Sequence, residues 1–98
     1  MPIEAAHIRL WVRGRVKHPD APLIAHELFV AVLGAGADAI EMTLSTAGNR
    51  IRITARGPEP VPLIYSHGPG WLIVSALAHQ SGLTTDECGL WAQLGARR

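Results

Sequence analysis

The chain has 98 residues, of which 48% are hydrophobic, and a formal net charge of +1 at pH 7. This length and apolar share predict one domain with a buried core, and the near-neutral charge excludes nucleic acid as the main partner. No signal peptide and no membrane-spanning run is apparent. The single cysteine, Cys88, cannot form an internal disulfide, so we expect a soluble protein of the reducing cytoplasm.

Residues 4–17 carry two overlapping patterns. Apolar residues alternate with basic ones, which favours a half-buried strand, but Ile8, Val12 and Val16 also follow a helical spacing of four. The segment contains four cations. A solvated face explains them better than a site for an acidic partner.

A helix is predicted next. Asp20 suits its N-cap, Pro22 is tolerated in its first turn, and Gly34 and Gly36 end it. Because residues 28–33 are all apolar, we expect this helix to be central to the core.

Alternating residues at 40–45 and 50–54, separated by a turn at 46–49, predict a β-hairpin with one buried face. The proline-rich stretch 56–62 predicts an extended loop that continues to Gly70.

The segment Gly68-Pro69-Gly70 ends this loop. Glycines just before a helix can present backbone N–H groups to an anion, although an ordinary loop explains them too. The helix is expected from about Trp71 to Gln80, with Gly82 as its C-terminal stop. A polar turn at 84–87 and a closing strand at 88–94 follow.

These elements predict an α/β fold of the α+β sandwich type. A mixed, mainly antiparallel sheet should carry three strands, with the helices packed on one face. The side chains expected to be almost fully buried are Leu28, Val32, Ile53, Ile73 and Leu77.

From about residue 8 to residue 94 the chain resembles the histidine-kinase-like (GHKL) ATPases, especially the small anti-sigma-factor and serine-kinase members of actinobacteria. The segments that carry the resemblance are His26-Glu27-Leu28, Ala37-Asp38-Ala39-Ile40-Glu41, Arg52-Ile53-Thr54-Ala55-Arg56-Gly57, Gly68-Pro69-Gly70-Trp71-Leu72-Ile73-Val74 and Leu90-Trp91-Ala92-Gln93-Leu94. The resemblance implies one degenerate GHKL (Bergerat-like) domain over residues 1–98. It also implies a helix for the N-terminal segment, and we adopt that reading.

The resemblance also implies a vestigial nucleotide site. It gives Glu27 the role of catalytic base, which agrees with a carboxylate placed at the edge of the buried face or held there for chemistry. It gives Gly57, Gly68 and Gly70 the role of a nucleotide-binding loop.

Two residues depart from the family pattern. Members carry an asparagine that holds magnesium, where this chain has Ala31, and an aspartate that binds the adenine amino group, where it has Ala55. Losing a hydrogen bond to a charged group weakens binding about 10–100-fold, and alanine cannot ligate a metal. ATP and magnesium are therefore not expected as cofactors.

Other chemistry has little support. The five histidines lack metal-ligand spacing, so no metal site is predicted. Serine–histidine pairs at 66–67 and 75–79 lack an orienting acid. Trp71 and Trp91 are expected to be core or interface anchors that could cap the former nucleotide side of the sheet.

The favoured function is a non-catalytic pseudo-ATPase regulatory module that binds a protein partner of the sigma-factor or anti-sigma-antagonist type. No direct contact with nucleic acid or membrane is expected, and homodimer formation is left open. The alternative is an ATP-binding anti-sigma factor or serine protein kinase with an atypical nucleotide site.

Overall fold

The structure, a computed structural model, describes residues 2–36, 39–61 and 69–95. Its elements are α1 (Pro2–Arg13), α2 (Ala21–Gly34), β1 (Glu41–Ala47), β2 (Arg50–Arg56), α3 (Pro69–Leu77), β3 (Gln80–Leu83) and β4 (Gly89–Leu94). The strands form one sheet in the order β1-β2-β4-β3. The predicted α+β fold is confirmed. All three strand pairs are antiparallel, where a mixed sheet was predicted.

The helices pack on one face of the sheet, as expected. Helix α2 is central, because it contacts both other helices and also strands β2 and β4. Leu28 and Val32 of α2 are buried against Ile53 of β2 and Leu90 of β4. Alternate residues of β2 and β4 point to the opposite face, so that face is left open by the described helices.

The N-terminal segment is a helix, as the resemblance implied, and the local alternation that favoured a strand was misleading. Val12 is fully buried, and Ile8 and Val16 pack partly against the core. The four-residue spacing therefore describes the buried side of α1.

In the described parts of the chain, no helix is long and apolar enough to cross a membrane.

The ends of α2 fall close to the predicted residues. Asp20 occupies the N-cap position, but its carboxylate makes no capping bond. Its backbone N–H instead donates to Nδ1 of His18 over 3.1 Å. At the other end Gly36 has a φ of +97°, a conformation that glycine adopts without strain.

The hairpin is confirmed, with a shorter turn than the sequence predicted. Ala47 pairs with Arg50, so the loop consists of Gly48 and Asn49 alone. Gly48 has a φ of +61°. A positive φ at the first loop residue only is typical of a type II′ turn, which matches the twist of the two strands.

Helix α3 is shorter than the sequence predicted, and the prediction missed strand β3. Helix α3 ends at Leu77 rather than Gln80, and Gly82 lies inside edge strand β3 rather than at a helix stop. The N–H of His79 donates to the carbonyl of Gln93 over 2.8 Å, just before the β3–β4 pairing begins. Pairing with β4 satisfies backbone groups that a longer helix would have satisfied internally.

The core prediction is confirmed for Leu28, Val32 and Ile53 and wrong for two residues of α3. Ile73 is 38% exposed and Leu77 37% exposed. The short α3 touches α2 along one side, and Val74 is the residue that it buries there completely.

Candidate functional site

The two alanines that replace the family's polar residues lie in or against the core. Helix α2 packs over β2, so Ala31 on the helix and Ala55 on the strand belong to the same layer between helices and sheet. Ala55 is fully buried, and Ala31 is partly buried against the core. Neither side chain offers a hydrogen-bonding group or a metal ligand.

The surroundings of Ala55 are apolar on its own sheet face. Its register partners are Met42 on β1 and Leu90 on β4, which lie on either side of it. A carboxylate at this position would be buried among apolar side chains. Burying an unpaired charge in this way is strongly unfavourable.

Glu27 lies on α2 one turn before Ala31. Its side chain is 18% exposed, and its Oε2 is 3.6 Å from Nδ1 of His26. That separation is too long for a hydrogen bond but close enough for attraction when the imidazole is protonated. Within the described chain, His26 is the only basic group within 4 Å of this carboxylate.

The glycines assigned to a nucleotide loop have different environments. The N–H of Gly57 donates to the carbonyl of Cys88 over 2.9 Å, which extends the β2–β4 pairing by one residue. This N–H is therefore already satisfied within the sheet. Gly70 is the second residue of α3, and Gly68 lies outside the described residues.

A small cleft lies between the C-terminal end of α2 and the loop that follows β2. It has a volume of about 200 Å³ and is lined by Val32, Ala35, Gly36, Pro58, Glu59, Pro60 and Val61. Sites for drug-sized ligands and cofactors have volumes of about 300–1,000 Å³. Neither Glu27 nor Gly70 lines this cleft. The described residues of the predicted nucleotide site therefore do not line this cleft together.

The donor set does not suit a magnesium nucleotide. Among the described residues there is no group of three or more His, Cys, Asp or Glu side chains that could hold a metal ion. Ala31 supplies no oxygen where the family has its magnesium ligand. Hard cations such as Mg²⁺ require oxygen ligands, so these residues do not fit the ion.

The described serine–histidine pair, Ser75 and His79, gives no catalytic arrangement. Ser75 and His79 are both exposed, and no hydrogen bond joins their side chains. Ser66 and His67 lie outside the described residues.

Of the three tryptophans, Trp71 and Trp91 lie on different sides of the sheet. Trp71 is partly buried against the core on the helix side. Trp91 lies on the open face, because it alternates with the buried Leu90 and Ala92, so the expectation that it caps the nucleotide side was wrong. Its indole N–H donates to the carbonyl of Leu83 over 3.0 Å, which fixes the ring across edge strand β3.

A polar network closes the turn between β3 and β4. The carboxylate of Asp86 accepts hydrogen bonds from the Thr84 hydroxyl at 2.6 Å, from the Cys88 N–H at 3.0 Å and from the Arg56 guanidinium. The Thr84 bond, followed by those from Cys88 and Arg56, holds the pKa of Asp86 well below its usual value. The sequence Thr-x-Asp in a polar turn is typical of such side-chain-to-backbone bonding.

Sequence reasoning also missed an exposed apolar surface on α3. Leu72 is 67% exposed, and Ile73, Ala76 and Leu77 are exposed beside it. The nine residues of the helix include no charged side chain. The signal was present in the sequence, since a helix with no charged residue and a single serine cannot place a broad polar face towards water.

The positive charge of α1 is gathered at a second surface. Arg9, Arg13, Lys17 and His18 line one cleft with the start of α2. Nothing in the local sequence pattern distinguishes this arrangement from an ordinary solvated face.

The chain matches no protein-family model, and no curated protein or solved structure is significantly similar to it.

Proposed function

We propose that the chain is a non-catalytic regulatory module of GHKL-like descent that binds a protein partner through the exposed apolar surface of α3. The observation that carries the proposal is the 67% exposure of Leu72 on a helix with no charged residue. Exposed apolar residues that are contiguous in this way mark interaction surfaces. By analogy with anti-sigma factors, the partner is a sigma factor or an anti-sigma antagonist, and the location is the cytoplasm.

The environment of Ala55 supports loss of nucleotide binding. Its methyl group is fully buried, so the hydrogen bond that the family makes to adenine has no counterpart. Ala31 removes the metal ligand, and the Gly57 N–H is bonded to Cys88. The adenine hydrogen bond and the metal ligand are therefore absent, and the Gly57 N–H is already hydrogen-bonded within the sheet.

Titration calorimetry with magnesium ATP tests this part of the proposal. We expect a dissociation constant no tighter than about 1 mM, which corresponds to about −4 kcal/mol. A micromolar constant would overturn the pseudo-ATPase proposal. It would favour the alternative, an ATP-binding serine kinase with an atypical site in which the half-buried Glu27 beside His26 acts as the base.

The partner is tested by binding assays with purified sigma factors and anti-sigma antagonists from the source organism. One of them should bind, and Leu72→Ser should weaken that binding at least about tenfold because the apolar contact is lost. Leu10→Ser is a matched control, since Leu10 is 61% exposed on α1.

Other results would contradict the proposed partner. Binding that is insensitive to Leu72→Ser, or weakened equally by Leu10→Ser, would remove α3 as the docking surface. A wild-type dimer that Leu72→Ser converts to a monomer would show that α3 is covered by a second copy of the chain.

A further inference from the structure

A cleft of about 420 Å³ lies where the C-terminal part of α1 meets the start of α2. We propose that this cleft binds an acidic peptide segment that also carries an apolar side chain, presented by a protein partner. The proposal does not rest on the function proposed above, because the cleft includes no residue of α3.

The cations of the cleft have no carboxylate partner among the described side chains. Arg9 and Arg13 are one helical turn apart on α1 and therefore lie on the same side of it, and Lys17 follows in the connection to α2. Among the side chains that the structure describes, no carboxylate is within 4 Å of any of the three. In contrast, Arg56 on the sheet is paired with both Glu41 and Asp86.

The histidine of the cleft adds a fourth donor. Nδ1 of His18 accepts a hydrogen bond from the Asp20 N–H over 3.1 Å. In the neutral ring the proton is therefore on Nε2, which is then a hydrogen-bond donor. All four polar side chains that line the cleft are donors, an arrangement that suits an oxyanion.

The rest of the lining is apolar. The apolar lining residues are Val16, Pro19, Pro22 and Leu23, and Leu23 is 39% exposed. A ligand that matches the whole cleft combines carboxylates with at least one apolar side chain, as an acidic amphipathic peptide does.

A peptide matches this lining better than a nucleic acid. No Trp, Tyr or Phe side chain lines the cleft, and single-stranded nucleic acids are bound largely by stacking of bases on such rings. The apolar residues would have no counterpart along a phosphate backbone. A nucleic-acid strand is also bound through a row of cations that follows its phosphates, and the few cations of this cleft do not form such a row.

The test is a titration of the ¹⁵N-labelled full chain with the capped peptide Glu-Leu-Glu-Leu-Glu at low salt, followed by amide chemical shifts. We expect saturable shifts in α1 and the first turn of α2. The double variant Arg13→Gln with Lys17→Gln should weaken binding about fivefold or more, because two charge contacts are lost. The neutral peptide Gln-Leu-Gln-Leu-Gln should not bind measurably.

The double variant Arg50→Gln with Arg52→Gln is the matched control. It removes the same charge from two exposed residues of the sheet and should leave peptide binding within about twofold. Equal weakening by both double variants would show attraction to net charge alone and would overturn the proposal. It would also be overturned by the absence of binding, or by equal or tighter binding of a thymidine tetranucleotide with the same three negative charges.

Discussion

The guanidinium carbon of Arg52 lies 4.1 Å from the centroid of the Trp91 ring. In the strand register Arg52 is opposite Gln93, so Trp91 is its diagonal neighbour on the open face of the sheet. A cation over an indole face contributes about 0.5–1 kcal/mol at an exposed site. A double-mutant cycle of Arg52→Ala with Trp91→Leu, measured by urea denaturation, should give a coupling energy of this size.

The control for this cycle is Arg50→Ala. Arg50 is exposed on the same strand and has no described contact with an aromatic ring. Its coupling to Trp91→Leu should be close to zero. Equal coupling energies for the two arginines would show that the Arg52–Trp91 contact does not stabilise the sheet.

Gly89 should not tolerate a side chain. It pairs with Arg56 in the sheet, and a Cβ at this position would lie 2.6 Å from Cγ of Arg56 and closer still to the carbonyl oxygen of Ala55. Because part of this obstruction is backbone, the strands must move apart. Gly89→Ala should therefore lower the free energy of unfolding by about 1–3 kcal/mol or more.

Gly82→Ala in the neighbouring strand is the control for this substitution. A Cβ there would be 3.4 Å from its nearest neighbour, an atom of the Trp91 side chain, which is ordinary contact. Its denaturation midpoint should stay near that of the wild type. A Gly89→Ala variant as stable as Gly82→Ala would show that β2 and β4 are further apart than described.

Asp86 should make stability depend on acid pH. Its pKa is lowered from the usual 3.8, first by the Thr84 hydroxyl bond, then by the Cys88 N–H and the Arg56 guanidinium. A lowered pKa in the folded state stabilises the protein above the unfolded value of 3.8, and this contribution is lost as the pH falls below it. Asp86→Asn should be less stable than the wild type at pH 7. The difference should begin to shrink below about pH 5 and should continue to shrink as the pH falls through 3.8 towards the lower folded-state pKa. A difference that is constant with pH would contradict this prediction.

Ala55→Asp should destabilise the domain rather than restore a nucleotide site. The carboxylate would be buried among apolar residues, at a cost of about 3 kcal/mol or more, which is a large share of the stability of a small domain. The pair Ala31→Asn with Ala55→Asp should therefore lose cooperative unfolding before it gains affinity for ATP. Thr43→Asp, at an exposed position of β1, should remain folded. A stable Ala55→Asp variant would show that water reaches this position.

Leu28→Ala and Ile73→Ala should differ in their effects. Leu28 is fully buried, so its truncation should cost about 2–5 kcal/mol. Ile73 is 38% exposed, and its truncation should cost less than about 1 kcal/mol. Chemical denaturation of the two variants measures both values, and equal losses would show that α3 is buried more deeply than described.

The elements that could be predicted from sequence are those with a local signal. The hairpin follows from strict alternation around Gly48, and α2 follows from Pro22, its apolar run and Gly36. Strand β3 has no such signal, because its residues Gln80–Leu83 depend on pairing with β4. Propensity could not reveal a strand that is determined by pairing partners 7 to 13 residues away.

The surfaces were harder to predict than the fold. Almost every side of α3 is apolar, so its sequence does not specify which side is buried. Packing against α2 decides that Val74 is buried and that Ile73 is exposed. The cleft at α1 depends on where α2 begins relative to Lys17, which spacing alone does not specify. In both cases the deciding information is tertiary contact rather than local sequence.

The strand order has a consequence for synthesis on the ribosome. Strand β4 lies between β2 and β3 although it follows both in the chain. The β1–β2 hairpin can form early, but a two-stranded hairpin alone is marginally stable. Until β4 leaves the exit tunnel, β3 has no partner strand. The backbone groups of β3, and those on the edge of β2 that pairs with β4, remain hydrogen-bonded to water. Emergence of residues 89–94 is therefore the event that commits the nascent chain to this fold.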